Sequence, residues 1–262
     1  MKYKTLKIIV ITLLLTIIPT LLFAQQTAEA IMQKVMDEQS SDTAAMDINL
    51  LLIEANGEVR ERRIQTLALT EKNLTSTITV FLSPASVKNT RFLTKERADG
   101  GDDQWIFLPA LGRVKRIAAT EGGGSFMGSD FTYADMASTT YDTSEAKHTL
   151  IGEESVNGRS SYKISSIPYD SSNYVKTVIW VDKEHYLPLK VEFYEKDPNT
   201  ITKTLVADEI ANIGGRWITK TVTMTTLATK HSTKVDILQA RYNIPIPSGY
   251  FSTAFLETGR IL

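Results

Sequence analysis

Two runs of the chain, residues 46–97 and 148–241, are built from short segments whose apolar side chains recur at every second position, with turn-forming residues between them and no helical period. The spacing predicts strands over 48–52, 59–69, 74–82 and 90–97, the first two joined at Asn56-Gly57, a strong short hairpin signal. It predicts seven more over 148–155, 159–167, 174–181, 187–195, 201–213, 217–227 and 232–241. Turns fall at Asn157-Gly158, Asp197-Pro198-Asn199 and Gly214-Gly215. Strands joined by such short connections are antiparallel neighbours, and a meander this long leaves exposed edges unless it curls. The expected fold is therefore mainly β, a barrel or strongly curved sheet. Leu187, Leu189, Val191 and Phe193 alternate with Lys190, Glu192 and Tyr194, so one face there is dry. Thr219, Thr221, Thr223 and Thr225 suggest an exposed face opposite Ile218, Val222 and Met224.

Between the two runs lies the most unusual stretch, residues 102–136, DDQWIFLPALGRVKRIAATEGGGSFMGSDFTYADM. Residues 103–108 read as a strand apolar on both faces, with Trp105 and Phe107 pointing one way and Ile106 and Leu108 the other. Pro109-Ala110-Leu111-Gly112 supplies a turn, and Arg113-Val114-Lys115-Arg116-Ile117 returns as a strand with a wet face. Gly122-Gly123-Gly124 then delivers Ser125-Phe126-Met127-Gly128, after which Ser129-Asp130 can cap a short helix carrying Phe131, Tyr133 and Met136. Such a glycine-hinged arm with an apolar tip fits either a lid against an apolar cavity or an irregular crossover packed onto an ordinary core.

Residues 1–24 have the form of a cleaved secretory signal, with Lys2, Lys4 and Lys7 ahead of an apolar run and Ala24 at the cleavage position; the alternative is an uncleaved anchor helix. The remaining 262 − 24 = 238 residues, 25–262, are expected to form a single domain. They carry 29 − 3 = 26 basic and 30 acidic residues, a formal charge of −4, which argues against nucleic acid as a partner. The chain contains no cysteine, so disulfides, a lipid on cysteine and thiolate chemistry are excluded. Residues 27–39 read as the one long helix: Thr27 can cap it, and Ile31, Met32, Val35 and Met36 form an apolar stripe. It covers one end of the sheet or serves as a lid helix.

A reactive constellation is not evident. His148, His185 and His231 fall on three separate elements without metal-ligand spacing, and the glycines around Ser125 sit one position wrong for a nucleophile elbow. Asp102, Asp103, Asp130 and Asp135 are accounted for by turns and caps. No phosphate-cradling or dinucleotide fingerprint occurs, and Arg113, Lys115 and Arg116 read as a solvated basic stripe that could meet lipid phosphate or an acidic partner. Neither catalysis, nor a metal, nor a cofactor is expected.

QWIFLPALGRVKRI followed by GGGSFMGSDFTYADM resembles the LolA-like outer-membrane lipoprotein-sorting proteins, and strand order and length are compatible over nearly the whole mature chain. The resemblance implies a half-open antiparallel β-barrel whose apolar cavity is covered by an N-terminal helix and a short helical lid. It implies a periplasmic carrier-type protein that binds acyl chains of lipoproteins or other lipids without covalent chemistry. Possible partners are inner- or outer-membrane lipoprotein transport components. The candidate ligand-binding residues are Ile31, Met32, Val35, Trp105, Phe107, Phe126, Met127, Phe131, Tyr133 and Met136. The alternative within the same superfamily is an RseB-like envelope sensor or regulatory binding protein; those sensors carry an additional C-terminal domain.

Overall fold

The computed structural model describes residues 27–98, 101–137, 145–169 and 173–260; the expected signal segment lies outside them. One antiparallel sheet of thirteen strands accounts for most of the described residues. The first half comprises β1 (Thr43–Ile53), β2 (Val59–Glu71), β3 (Leu74–Ser83), β4 (Arg91–Glu96), β5 (Asp102–Leu108) and β6 (Arg113–Ile117). The second comprises β7 (Ala146–Val156), β8 (Arg159–Pro168), β9 (Lys176–Asp182), β10 (Pro188–Tyr194), β11 (Lys203–Ile213), β12 (Arg216–Thr226) and β13 (His231–Tyr242).

Each half is a meander, and the two are joined where the first strand pairs with the last, from Ala44 opposite Tyr242 to Ile53 opposite Ser232. The strand order β6-β5-β4-β3-β2-β1-β13-β12-β11-β10-β9-β8-β7 leaves β6 and β7 as edges, so the sheet curves without closing. Register shifts at Asp47/Ile48, Arg63/Ile64, Leu150/Gly152 and Ala207/Glu209 insert bulges, which tighten local twist and coil the sheet. A half-open barrel is the result: the alternation predicts the strongly curved sheet, and the family resemblance implies its half-open form.

Three segments cover its faces. Helix α1 (Ala28–Gln39) is started by Thr27, whose Oγ1 accepts from the Ala30 N–H at 3.2 Å, with Glu29 in the favourable first turn. Its Ile31, Met32 and Val35 are fully buried against Ile164, Ile179, Val181 and Val191 on the concave face of the second half. On the first half the concave face is covered by the described part of the β6–β7 connection, residues 118–137, which includes helix α2 (Tyr133–Ala137). The C-terminal tail, with helix α3 (Thr253–Thr258), lies on the convex face of β3–β6. There Arg91 donates from Nε to the Leu256 carbonyl at 2.7 Å and from Nη2 to that of Glu257 at 3.2 Å, holding the end of α3.

The tail changes the reading of β5. Trp105 and Phe107 do point away from Ile106, but toward the convex face, where they pack with Ile78, Leu93, Tyr250, Phe251 and Leu256. A strand apolar on both faces is here a strand between lid and tail. Thr221, expected on an exposed face, is buried and donates to Asp236 Oδ1 at 3.0 Å.

Candidate functional site

The concave face of the first half is graded along its strands. At one end Ile48, Ile64 and Phe81 lie side by side across β1, β2 and β3, with Phe92 and Ile106 continuing the apolar surface on β4 and β5. One step along the strands the cross-strand neighbours are Thr66 and Thr79, whose hydroxyls are 3.3 Å apart. Next come Ala68, Thr77, Thr94 and Gln104, and last Thr70, Thr75, Glu96 and Asp102. The trough thus runs from hydrocarbon through hydroxyl to carboxylate.

The connection Ala118–Ala137 lies on the apolar end. Phe126 is buried with its ring 4.9 Å from Phe92, 5.9 Å from Phe81 and 5.8 Å from Tyr133, and Met127, Tyr133 and Met136 pack around the same cluster. The triple glycine is built into the fold of this segment. Gly122 and Gly124 accept from the Ala134 and Tyr133 N–H groups, and a Cβ on Gly124 would come within 3.0 Å of the Glu121 carbonyl oxygen. The α2 cap is Thr132, not Ser129-Asp130 as the sequence suggested. Thr132 Oγ1 accepts from the Asp135 N–H at 3.0 Å while Asp135 accepts from the Thr132 N–H at 2.7 Å.

Asp130 does something else. Its buried carboxylate accepts from Thr226 Oγ1 at 2.5 Å and Thr233 Oγ1 at 2.7 Å, and lies 2.6 Å from His231 Nδ1. Its carbonyl accepts from the buried Lys203 ammonium at 3.1 Å. From the other side Arg62 donates to the Met127 carbonyl at 2.5 Å; its burial, then neighbouring Arg60, lowers the Arg62 pKa. The arm is therefore clasped at its tip by β2, β11, β12 and β13, and Gln104 Nε2 donates to the Tyr133 carbonyl at 2.7 Å. None of these partners carries a sequence signature; isolated Thr, His and Lys residues on strands become a site only through register.

Beyond the arm the trough is open, a cleft of about 1050 Å³. Met36, Met46, Leu187, Pro188, Trp217 and Tyr242 supply apolar and aromatic surface, and Thr66, Thr70, Thr75, Thr77, Glu96 and Asp102 the polar surface. Trp217 stacks on His185 with centroids 4.2 Å apart. Asp102 has one carboxylate oxygen buried without a partner among the described residues. Burial, then Glu96, Glu145 and Asp103, pushes its pKa up to about 6 against the opposing charge of Arg97. Elsewhere Asp182, Glu184 and His185 offer ligand atoms within 4.8 Å of one another. The Arg159 guanidinium already bridges Asp182 at 2.9 and 3.0 Å and Glu184 at 2.7 Å, holding the place a cation would take.

A family model described as "Uncharacterized protein" matches residues 73–258, well over half the chain. Solved structures share the whole architecture. A DUF1329 family protein from Desulfovibrio piger is 26% identical over 88% of this chain and 100% of its own, with a TM-score of 0.82. A domain from Vibrio parahaemolyticus described as an outer membrane lipoprotein-sorting protein is 29% identical over 88% and 98%, with a TM-score of 0.81. This chain belongs to the family whose model matches residues 73–258, and it shares its fold with the LolA-like lipoprotein-sorting proteins. The LolA superfamily protein NE2245 from Nitrosomonas europaea has the same fold, at 21% identity over 87% and 99% and a TM-score of 0.70. No curated protein matches the sequence.

On this LolA-like fold the ten residues singled out from sequence fall into separate places. Phe126, Met127, Tyr133 and Met136 are together over the apolar end of the trough. Ile31, Met32 and Val35 lie beneath α1 in the second half. Trp105 and Phe107 are on the convex face and line neither. Phe131 is half-buried, its carbonyl accepting from the Phe126 N–H at 2.8 Å to close the arm's tip.

Proposed function

We propose that this protein is a periplasmic carrier-type member of its family, which holds the acyl chains of lipoproteins or other lipids in the trough of its first half. The observation that carries the reading is the cover of that trough. Its apolar surface is sealed by a connecting arm, continuous with an open cleft, whose Phe126, Met127, Tyr133 and Met136 occupy the place acyl chains would take. An incoming chain gains about 0.8 kcal/mol per buried methylene, and an arm that refills the space on departure keeps the exchange near balance. The description of the Vibrio relative as an outer membrane lipoprotein-sorting domain supports this reading. So does the signal-like character of residues 1–24, which implies export.

The test is native mass spectrometry of residues 25–262 from a periplasmic extract, followed by lipid extraction and titration with a palmitoyl probe. Bound acyl lipid that is lost in Ile64→Asp but retained in Trp105→Gln is the expected result. A ligand-free protein that ignores the probe overturns the proposal.

A further inference from the structure

The open end of the trough is not finished as an acyl site. Its walls differ in chemistry: Met36, Leu187, Trp217 and Tyr242 on one side, threonine hydroxyls and carboxylates on the other. Its lining carries five carboxylates, Asp37, Glu38, Glu96, Asp102 and Glu145, against two guanidiniums, Arg97 and Arg216. An anionic headgroup would meet net repulsion there. Asp102 and Tyr242 both line the cleft, and each has a polar oxygen buried without a partner among the described residues. The cleft adjoins the arm, since Gln104, cross-strand from Thr94 in the step between the apolar end and Asp102, holds the Tyr133 carbonyl.

We propose that this cleft binds a primary ammonium group carried beside the acyl chain, its charge set against Asp102 and Glu96 and its flanking hydrocarbon against Met36 and Trp217. The inference rests on the acyl-carrier reading and names the polar part of that ligand. The position of Asp102 fits the role. Its acidic neighbours are Glu96 from β4, Glu145 ahead of β7 and Asp103, the next residue on its own strand; Arg97 is the opposing charge, and Asp103 pairs with both Arg97 and Arg116 on β6. Crowding of this kind costs free energy in the empty protein, and an ammonium group relieves it. Because the Asp102 pKa is pushed up to about 6, the preference for ammonium should be present above that pH and fade below it.

The experiment compares three single-chain amphiphiles of equal length, dodecylammonium, dodecyl sulfate and neutral dodecyl maltoside, by calorimetric titration of the mature protein at pH 8 and pH 5. The expected result is binding of dodecylammonium about tenfold tighter than of either other probe at pH 8, the size of one charge-assisted hydrogen bond. That preference should shrink at pH 5 and disappear in Asp102→Asn, with Glu96→Gln as a second variant that keeps an acceptor for the Thr75 N–H. Equal affinity for all three heads overturns this inference and leaves the acyl reading standing; no binding of any overturns both. Lysophosphatidylethanolamine and an N-palmitoylated lysine peptide then compete against dodecylammonium. Competition by the first assigns the cleft to a lipid headgroup, and by the second to a lysine of an acylated polypeptide. Competition by neither counts against the proposal.

Discussion

The two halves of the sheet are covered in opposite ways. In the second half α1 presents a fully buried stripe of Ile31, Met32 and Val35 to Ile164, Ile179 and Val191, and its polar residues, Gln33 and Lys34 among them, stay on the exposed face. In the first half the described part of the covering arm, residues 118–137, buries one large apolar side chain, Phe126, and is held by hydrogen bonds at its tip, from Arg62, Lys203, Thr226 and Thr233. Apolar contact is additive and non-directional, so it has no single point of release. A clasp of directional bonds at the tip of one arm has one. The difference suits a permanent cover on one side and an exchangeable one on the other.

The strongest way to break this comparison is Met32→Asp. A charge placed beneath α1 without a partner should cost about 3–5 kcal/mol or prevent folding, read by urea denaturation; a near-native midpoint would show that α1 is not the permanent cover. Phe126→Ala should cost about 3 kcal/mol, the lower end for an aromatic deletion. It should also tighten binding of a palmitoyl probe, because the arm competes less for the trough, and unchanged affinity would separate the arm from the ligand. Asp130→Asn should cost about 1–3 kcal/mol by unpairing Thr226, Thr233 and His231. Hydrogen exchange would sharpen the comparison: faster exchange confined to residues 125–137, with α1 unchanged, is the expected pattern.

Acidification should give the smallest effect, and one of opposite sign in the two halves. His148, buried near α1 with Nδ1 2.7 Å from Ser166 Oγ, has its pKa lowered from 6.5 by burial, against the pull of Glu29. A depressed histidine contributes stability that is full above 6.5 and is lost as the pH falls below it. Asp102 is raised from 3.8 to about 6, so its unfavourable contribution is full above about 6 and relieved toward 3.8. Asp102→Asn should therefore raise the midpoint at pH 8 and leave it unchanged near pH 4, while His148→Gln should flatten the loss below 6.5.

The fold was legible because alternation is a local signal. The runs at 59–69, 187–195 and 217–227 each announce a strand, and Asn56-Gly57 a hairpin, without reference to anything distant. Which face of a strand meets which cover is not local. Trp105 and Phe107 looked like cavity residues because their strand is apolar on both sides, and only the docking of Phe251 and Leu256 decides that they face outward. The site was legible in part for the same reason. Phe126 and Met127 stand out as an apolar tip, whereas Asp130 looks like a helix cap until Thr226, His231 and Thr233 are brought to it across about a hundred residues of chain.

The seam between β1 and β13 has a consequence for how the molecule comes into being. Thr43 to Ile53 can form its hairpin with β2 as soon as both exist, but its other edge waits for residues 232–242, the last strand to be made. Until then the first meander carries an open, apolar-flanked border, and the second has nowhere to attach. Each half is a fragment with a sticky margin, and only arrival of the final strand turns two ribbons into one shell. A chain cut short before Tyr242 would therefore lose more than a strand: it would lose the stitch that makes a trough out of two sheets.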